Sequence, residues 1–266
     1  MTRFLLGFFV MIGCLMFLGC PFRTVLRLAG GDFNAIFGLL GFICGIIAGI
    51  YFLNRGYSLK RSYQQTRPEG LILPAIQLVF LVLVLAAPAF IFFTKEGPGA
   101  KHAAVLISLL AGLLVGALAQ HTRMCMVGGI RDFILFREPK LLIGFCMIFV
   151  AAFLANLMSG HFHPGFADQP VAHTESLWNF LGMLLAGYGC CLLGGCPLRQ
   201  MVMAGEGNTD SAVTYLGLFV GAAFAHNFAL ASSGKGSTPN GRIAVILGLV
   251  VVTVIAVSNT FNKKEA

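Results

Sequence analysis

Apolar residues fall in eight long runs, at about 4–19, 33–53, 71–93, 103–119, 141–158, 177–193, 211–231 and 243–258, with polar residues confined to the short stretches between them. Each run comes close to the roughly 20 residues a helix needs to cross the hydrocarbon of a bilayer. Lipid offers the backbone no hydrogen-bond partner, so runs of this length are expected to be helical. The pattern predicts an all-α integral membrane protein with about eight transmembrane helices. No polar stretch reaches the size of a soluble domain, so residues 1–266 read as a single membrane domain. Composition agrees: 58% of positions are hydrophobic and 11% charged, against roughly a quarter charged in a soluble domain.

The charges then orient the spans. Net charge is +8, but the basic residues are scattered over short loops, which argues against nucleic acid as a partner and for topology signals. Arg55, Lys60, Arg61 and Arg67 mark the loop at 54–70 as cytoplasmic, and Arg123, Arg131, Arg137 and Lys140 do the same for 120–140. The loop at 159–176 has three histidines and no lysine or arginine, and belongs outside. Arg3, Lys263 and Lys264 place both termini in the cytoplasm. The start of the chain, with "MFLGC" before Cys20, loosely resembles a lipoprotein leader, but Pro21 fits that poorly and the same GCP triplet recurs in mid-chain.

That recurrence is part of a repeat. Residues 13–45 laid on 189–221, an offset of 176, match at ten of 33 positions without a gap, among them Gly13, Cys14, Gly19, Cys20, Pro21, Arg23, Gly41 and Gly45. Five spans separate the two starts, and an odd number inserts the second copy upside down. The expectation is an inverted repeat with halves at about 1–140 and 177–266, the plan of many secondary transporters, whose sites lie near mid-membrane on broken helices. Glycines four apart (Gly41, Gly45 and Gly49; Gly112 and Gly116; Gly217 and Gly221) predict close helix packing.

Chemistry concentrates where the repeat is strongest. In "GCPLRQMVMAG" the glycines end one helix, Cys196 takes the cap and Pro197 opens a short helix to about Ala204. A thiol there sits at the positive end of a helix, where anions are attracted. Arg199 adds a fixed cation, and an intramembrane arginine is a functional candidate by default. Cys20, Pro21 and Arg23 repeat the arrangement at the opposite face. In "QHTRMCMVGGIRDF", Gln120, His121 and Arg123 stand beside Cys125 and a double glycine able to admit a short re-entrant segment. The other thiols (Cys14, Cys44, Cys146, Cys190, Cys191) read as small buried hydrophobes. His161, His163 and His173 read as solvated loop residues, Arg131 and Asp132 as end charges, and Asn208 or Asp210 as a helix cap. Three thiols flanked by glycine and arginine suit a pore for a soft, polarizable anion, a description that sulfur and selenium compounds meet.

At "LGCPFR", "AQHTRMCMVGGIRDF" and "LLGGCPLRQMVMAGEGNTDSAV" the chain resembles the YeeE/YedE family of sulfur-transport membrane proteins. With "GAAFAHNFALASSGKGSTPNG" the last stretch resembles the selenium metabolism branch of that family, the YedE type. The resemblance implies an hourglass bundle of inverted halves with short re-entrant half-helices, in which cysteines at three constrictions, here Cys20, Cys125 and Cys196, relay the ion without lasting covalent attachment. It implies a bacterial inner-membrane permease, not an enzyme, for a small sulfur or selenium anion, with thiosulfate the alternative to a selenium compound and a cytoplasmic sulfur- or selenium-carrier protein as partner. No metal and no cofactor is expected. Leu230 stands where a fourth cysteine would complete the second copy of the Cys125 element. A membrane thiol oxidoreductase would want a CxxC pair, which the chain lacks. A haem subunit would need His121 and His226 as axial ligands, and both fall near helix ends.

Overall fold

The computed structural model describes residues 1–59, 66–88, 90 and 103–261, and the hydrophobic runs within them are helices. In chain order these are α1 (Thr2–Phe17), α2 (Pro21–Ala29), α3 (Asn34–Asn54), α4 (Arg67–Ala86), α5 (Val105–His121), α6 (Met126–Phe136), α7 (Lys140–Met158), α8 (Ser176–Leu193), α9 (Pro197–Gly205), α10 (Thr209–Asn227) and α11 (Pro239–Phe261). Seven segments among the described residues are long and apolar enough to cross a membrane. The eighth expected run is a helix, α10, but falls outside that set, because Thr209, Asp210, Ser211, His226 and Asn227 make its ends polar. The protein is an all-α, multi-pass membrane protein. Lys60, Arg61, Lys263 and Lys264 lie outside the described residues.

Three of the seven segments, Thr2–Ala29, Val105–Phe136 and Ser176–Gly205, run to 28, 32 and 30 residues. Each is a long helix followed by a break and a short one: α1 with α2, α5 with α6, α8 with α9. The break after α1 is a left-handed Leu18 (φ 63°), and after α8 a left-handed Gly194 (φ 79°). Gly19 N–H then donates to the Cys14 carbonyl at 2.9 Å, and Gly195 N–H to the Cys190 carbonyl at 3.1 Å. Both are Schellman-type closures, 176 positions apart.

The chain packs as two units. The larger comprises Met1–Arg61, Cys125–Leu198 and Val213–Ala266. At its centre α1, α3, α8 and α10 meet through glycines. A methyl at Gly41 would enter the carbonyl oxygen of Phe180, and one at Gly45 that of Leu184. On α10, Gly217 faces the carbonyl of Phe4 and Gly221 that of Phe8. These are the same two contacts repeated at the offset of 176: α3 runs parallel to α8 as α10 runs parallel to α1. Between α1 and α8, Gly13 meets Gly182 and Ala186, and Gly189 meets Leu6 and Val10, which makes that pair antiparallel. Glycine is needed here because backbones this close leave no room for Cβ. Among the described residues, Gly112 and Gly116 have nothing within 4 Å where a Cβ would stand.

One end of the larger unit is closed by polar groups. The last four carbonyls of a helix lack intrahelical partners, and those of α1 are met by four separate segments. Cys14 receives Gly19 N–H, Leu15 receives Ser232 N–H at 3.2 Å, Met16 receives Nε2 of His173 at 2.8 Å, and Phe17 receives Nη1 of Arg27 at 2.6 Å. Arg27 also bonds Asp32 at 2.7 Å and lies 4.0 Å from the centre of the Phe17 ring. Asp32 in turn accepts from the backbone and side chain of Asn34, whose amide reaches the Phe166 carbonyl at 2.7 Å. Nearby, Arg242 on α11 bonds Ser237 and the Glu175 carboxylate ahead of α8.

The smaller unit comprises Ser62–Met124 and Arg199–Ala212. In it Thr66 and Glu69 form a capping box at the head of α4. Gly70 packs on the backbone of Gly207 beside a cleft of about 330 Å³ lined by Pro74, Glu206 and their neighbours.

Candidate functional site

All three thiols singled out by the sequence stand at the head of a short helix. Cys20 is the N-cap of α2, in extended backbone, with Pro21 at the first helical position. Cys125 is the N-cap of α6, and its sulfur accepts the Gly128 N–H at 3.3 Å. Cys196 directly precedes Pro197, which opens α9. The first N–H groups of a helix are unpaired and carry positive partial charge, so each sulfur lies where electron density is held best.

Two of the three meet. The Cys125 thiol is hydrogen-bonded to the side chain and the backbone of Cys196, and the two residues are only 6% and 3% exposed. Cys20 is half-buried, and Cys190 lies within electrostatic reach of Cys14, Cys20, Cys125 and Cys191. Three thiols read from the sequence as inert packing, Cys14, Cys190 and Cys191, therefore neighbour the chemical ones. Cys44 and Cys146, read as buried, are exposed on the outer faces of α3 and α7. All eight cysteines are free.

The cations are arranged differently from the expectation. Arg23 is exposed and its side chain lies along Gly19, while the buried guanidinium of α2 is Arg27, one turn on. Arg199, in the smaller unit, has Nη1 3.8 Å from the Glu206 carboxylate, an ion pair too long for a hydrogen bond. Gln120, His121 and Arg123 are exposed in that same unit, Arg123 in left-handed backbone (φ 52°). The guanidinium that faces thiols is that of Arg131. It bonds Asp132 at 2.8 Å and lies within electrostatic reach of Cys125 and Cys191. Its signal in the sequence was its place on the very helix that Cys125 caps.

The loop histidines divide. His161 and His163 are exposed, whereas His173 is 1% exposed and spent on Met16, so the solvated reading is wrong for it. Among the described residues no three His, Cys, Asp or Glu side chains gather to hold a metal ion. Asn208 caps α10, its Oδ1 accepting the Ser211 N–H at 3.0 Å.

A family model described as sulphur transport matches residues 121–262, more than half of the chain. The protein belongs to the sulphur transport family. The matched region of this sulphur transporter holds Cys125, Arg131, Cys191 and Cys196 and stops short of Cys20. No curated protein and no solved structure matches the chain.

Proposed function

We propose that this chain is a permease of the bacterial inner membrane for a small soft anion containing sulfur or selenium, and that the ion passes along its buried thiols. The observation that carries the reading is the Cys125–Cys196 pair, two thiols brought together at the heads of two short helices in a membrane bundle. Such a site has weak S–H donors, helix-end N–H groups and the nearby Arg131, which together hold a polarizable anion without forming a bond to it. Cys20 at the head of α2 stands as the counterpart at the other face, in line with two oppositely inserted halves around 1–140 and 177–266. A selenium compound is the substrate suggested by the branch likeness, with thiosulfate as the alternative arm of the same test. A cytoplasmic carrier protein would receive the ion at the side bearing both termini.

The test is uptake of selenite, thiosulfate and sulfite into proteoliposomes by the wild type and by Cys20→Ala, Cys125→Ala and Cys196→Ala. Loss of uptake in all three variants, for at least one of the anions, is expected. Uptake by every variant at the wild-type rate overturns the thiol path, and quinone reduction by the purified protein would move it to the oxidoreductases.

A further inference from the structure

At the end of the larger unit where α3 and α8 finish and α1 begins, a second group of polar side chains is buried without a task. Tyr57 and Tyr188 are 5% and 4% exposed; the Tyr57 hydroxyl makes no hydrogen bond, and that of Tyr188 makes none of normal length. The Tyr188 hydroxyl has a loose partner in Thr253 on α11, which donates to the Leu249 carbonyl at 2.7 Å and keeps its lone pairs as acceptors. Tyr57, Tyr188 and Cys191 lie within electrostatic reach of one another. The position of Cys191 is set by packing, because it presses against Gly49 on α3, where any Cβ would collide with it. Tyr188 is set by its ring, stacked on Phe52 with centroids 6.0 Å apart.

We propose that Tyr57, Tyr188, Cys191 and Arg131 form a second binding station for the transported anion, reached from the Cys125–Cys196 pair; this rests on the transport reading above. A buried hydroxyl without a partner is destabilising, and Tyr57 without one beside Tyr188 with only a loose one marks a place where something else supplies the partner. Water would satisfy the hydroxyls alone. The rest of the set asks for an anion: Arg131 faces Cys191 and spends one of its five N–H donors on Asp132, and Arg3 reaches Tyr57 from the start of α1. The Asp132 carboxylate also faces Cys191, so the two guanidinium groups must outweigh it for the anion to settle. Hydroxyls and guanidinium bind oxyanion oxygens, and the thiol suits a sulfur or selenium atom, so a thio- or seleno-oxyanion satisfies the whole group. At the offset of 176, Cys191 and Tyr188 correspond to Leu15 and Ile12. The station therefore exists at one end only, the end that the positive-inside pattern assigns to the cytoplasm.

Labelled thiosulfate and selenite uptake by proteoliposomes tests this, with Tyr57→Phe/Tyr188→Phe, Arg131→Gln and Arg131→Lys beside Cys125→Ala. The double Phe variant loses two oxygen atoms and no shape. Lost hydrogen bonds to an anion are expected to cut its uptake rate about tenfold while the KM for external anion stays within about twofold, since the station acts after entry. Arg131→Gln should do the same and Arg131→Lys should recover part of the rate. Equilibrium binding to purified protein should give two thiosulfate ions per chain in the wild type and one in the double Phe variant. A double Phe variant transporting within about twofold of the wild type, or a single ion bound by the wild type, overturns the station; the second result decides even if a variant fails to fold. A wild type that carries none of thiosulfate, selenite and sulfite overturns the transport reading itself, and uptake at the wild-type rate by Cys20→Ala, Cys125→Ala and Cys196→Ala alike overturns the thiol path on which the station rests.

Discussion

The ring of His173 donates from Nε2 to the carbonyl oxygen of Met16 at 2.8 Å, joining positions 157 residues apart at the end of α1. A carbonyl only accepts, so Nε2 carries the proton and Nδ1 is bare. Burial, the main cause, holds the imidazole below its ordinary pKa of 6.5, with Arg27 adding to the effect and the Met16 hydrogen bond, Glu175 and Asp32 opposing it. The unfolded chain therefore binds a proton that the folded chain resists. Stability is full above pH 6.5 and falls as the pH drops below it. Thermal unfolding of detergent-purified protein between pH 8 and pH 5 should show this fall. His173→Gln, which keeps a donor for Met16 and removes the titration, should flatten it. His173→Ala leaves the carbonyl unpaired and should cost about 1–3 kcal/mol at any pH.

Arg27 and Asp32 are a buried ion pair, their side chains 6% and 4% exposed. Removing one partner strands a charge in a place water does not reach. Asp32→Ala is expected to cost about 3–5 kcal/mol, read as a loss of folded protein on size-exclusion chromatography. Arg23→Ala, on the exposed face of the same short helix, should leave that profile unchanged.

Gly41 and Gly217 make equivalent contacts at the offset of 176, on the carbonyls of Phe180 and Phe4. Alanine at either should push a helix pair apart and destabilise by about 1–3 kcal/mol. Gly112→Ala and Gly116→Ala meet nothing and should be neutral or slightly stabilising, because alanine is the better helix former. Unfolding midpoints of the four variants check both halves of the statement.

Leu18 and Gly194 occupy the same left-handed turn in the two copies, and only one of them is glycine. Gly194 has open space where a Cβ would go, so Gly194→Ala isolates the conformational cost, about 1–2 kcal/mol. Equal unfolding midpoints for wild type and Gly194→Ala would contradict the turn geometry.

A variant keeping Cys125 and Cys196, with the other six cysteines replaced by alanine, should be bridged by a short bifunctional thiol reagent. With Cys20 at the opposite face, as proposed, the same experiment on Cys20 with Cys196 should give no bridge. Mass spectrometry of the intact chain distinguishes the outcomes.

What the sequence disclosed follows from how local each signal is. The heads of α2, α6 and α9 were legible because a cysteine before proline, or before a double glycine, specifies its own backbone within four residues. The pairing of Gly41 with one helix and Gly217 with another was implied by the repeat, since duplicated spacing carries duplicated packing. Which arginine of α2 turns inward was not legible: Arg23 and Arg27 are one turn apart, and the choice of Arg27 is made by Phe17 and Asp32, which lie outside that helix. His173 read as a solvated loop residue because its partner is a main-chain atom, invisible to any motif. Arg131 was passed over for the same reason that made it plausible as an end charge. Its facing of Cys191 depends on how α6 and α8 pack, and the lipid-facing positions of Cys44 and Cys146 depend likewise on helix rotation about an axis that periodicity alone leaves open.

The glycine-on-carbonyl seating of α1, α3, α8 and α10 bears on how an ion could cross at all. Four helices keyed into one another at single-atom clearance cannot slide or roll without lifting a backbone out of its notch at several points together. Large-scale rocking of this framework is thereby closed off. On the proposed thiol path, passage is left to the short helices at the breaks and to the side chains they carry, and the moving part would have the dimensions of a thiol and a guanidinium rather than of a domain.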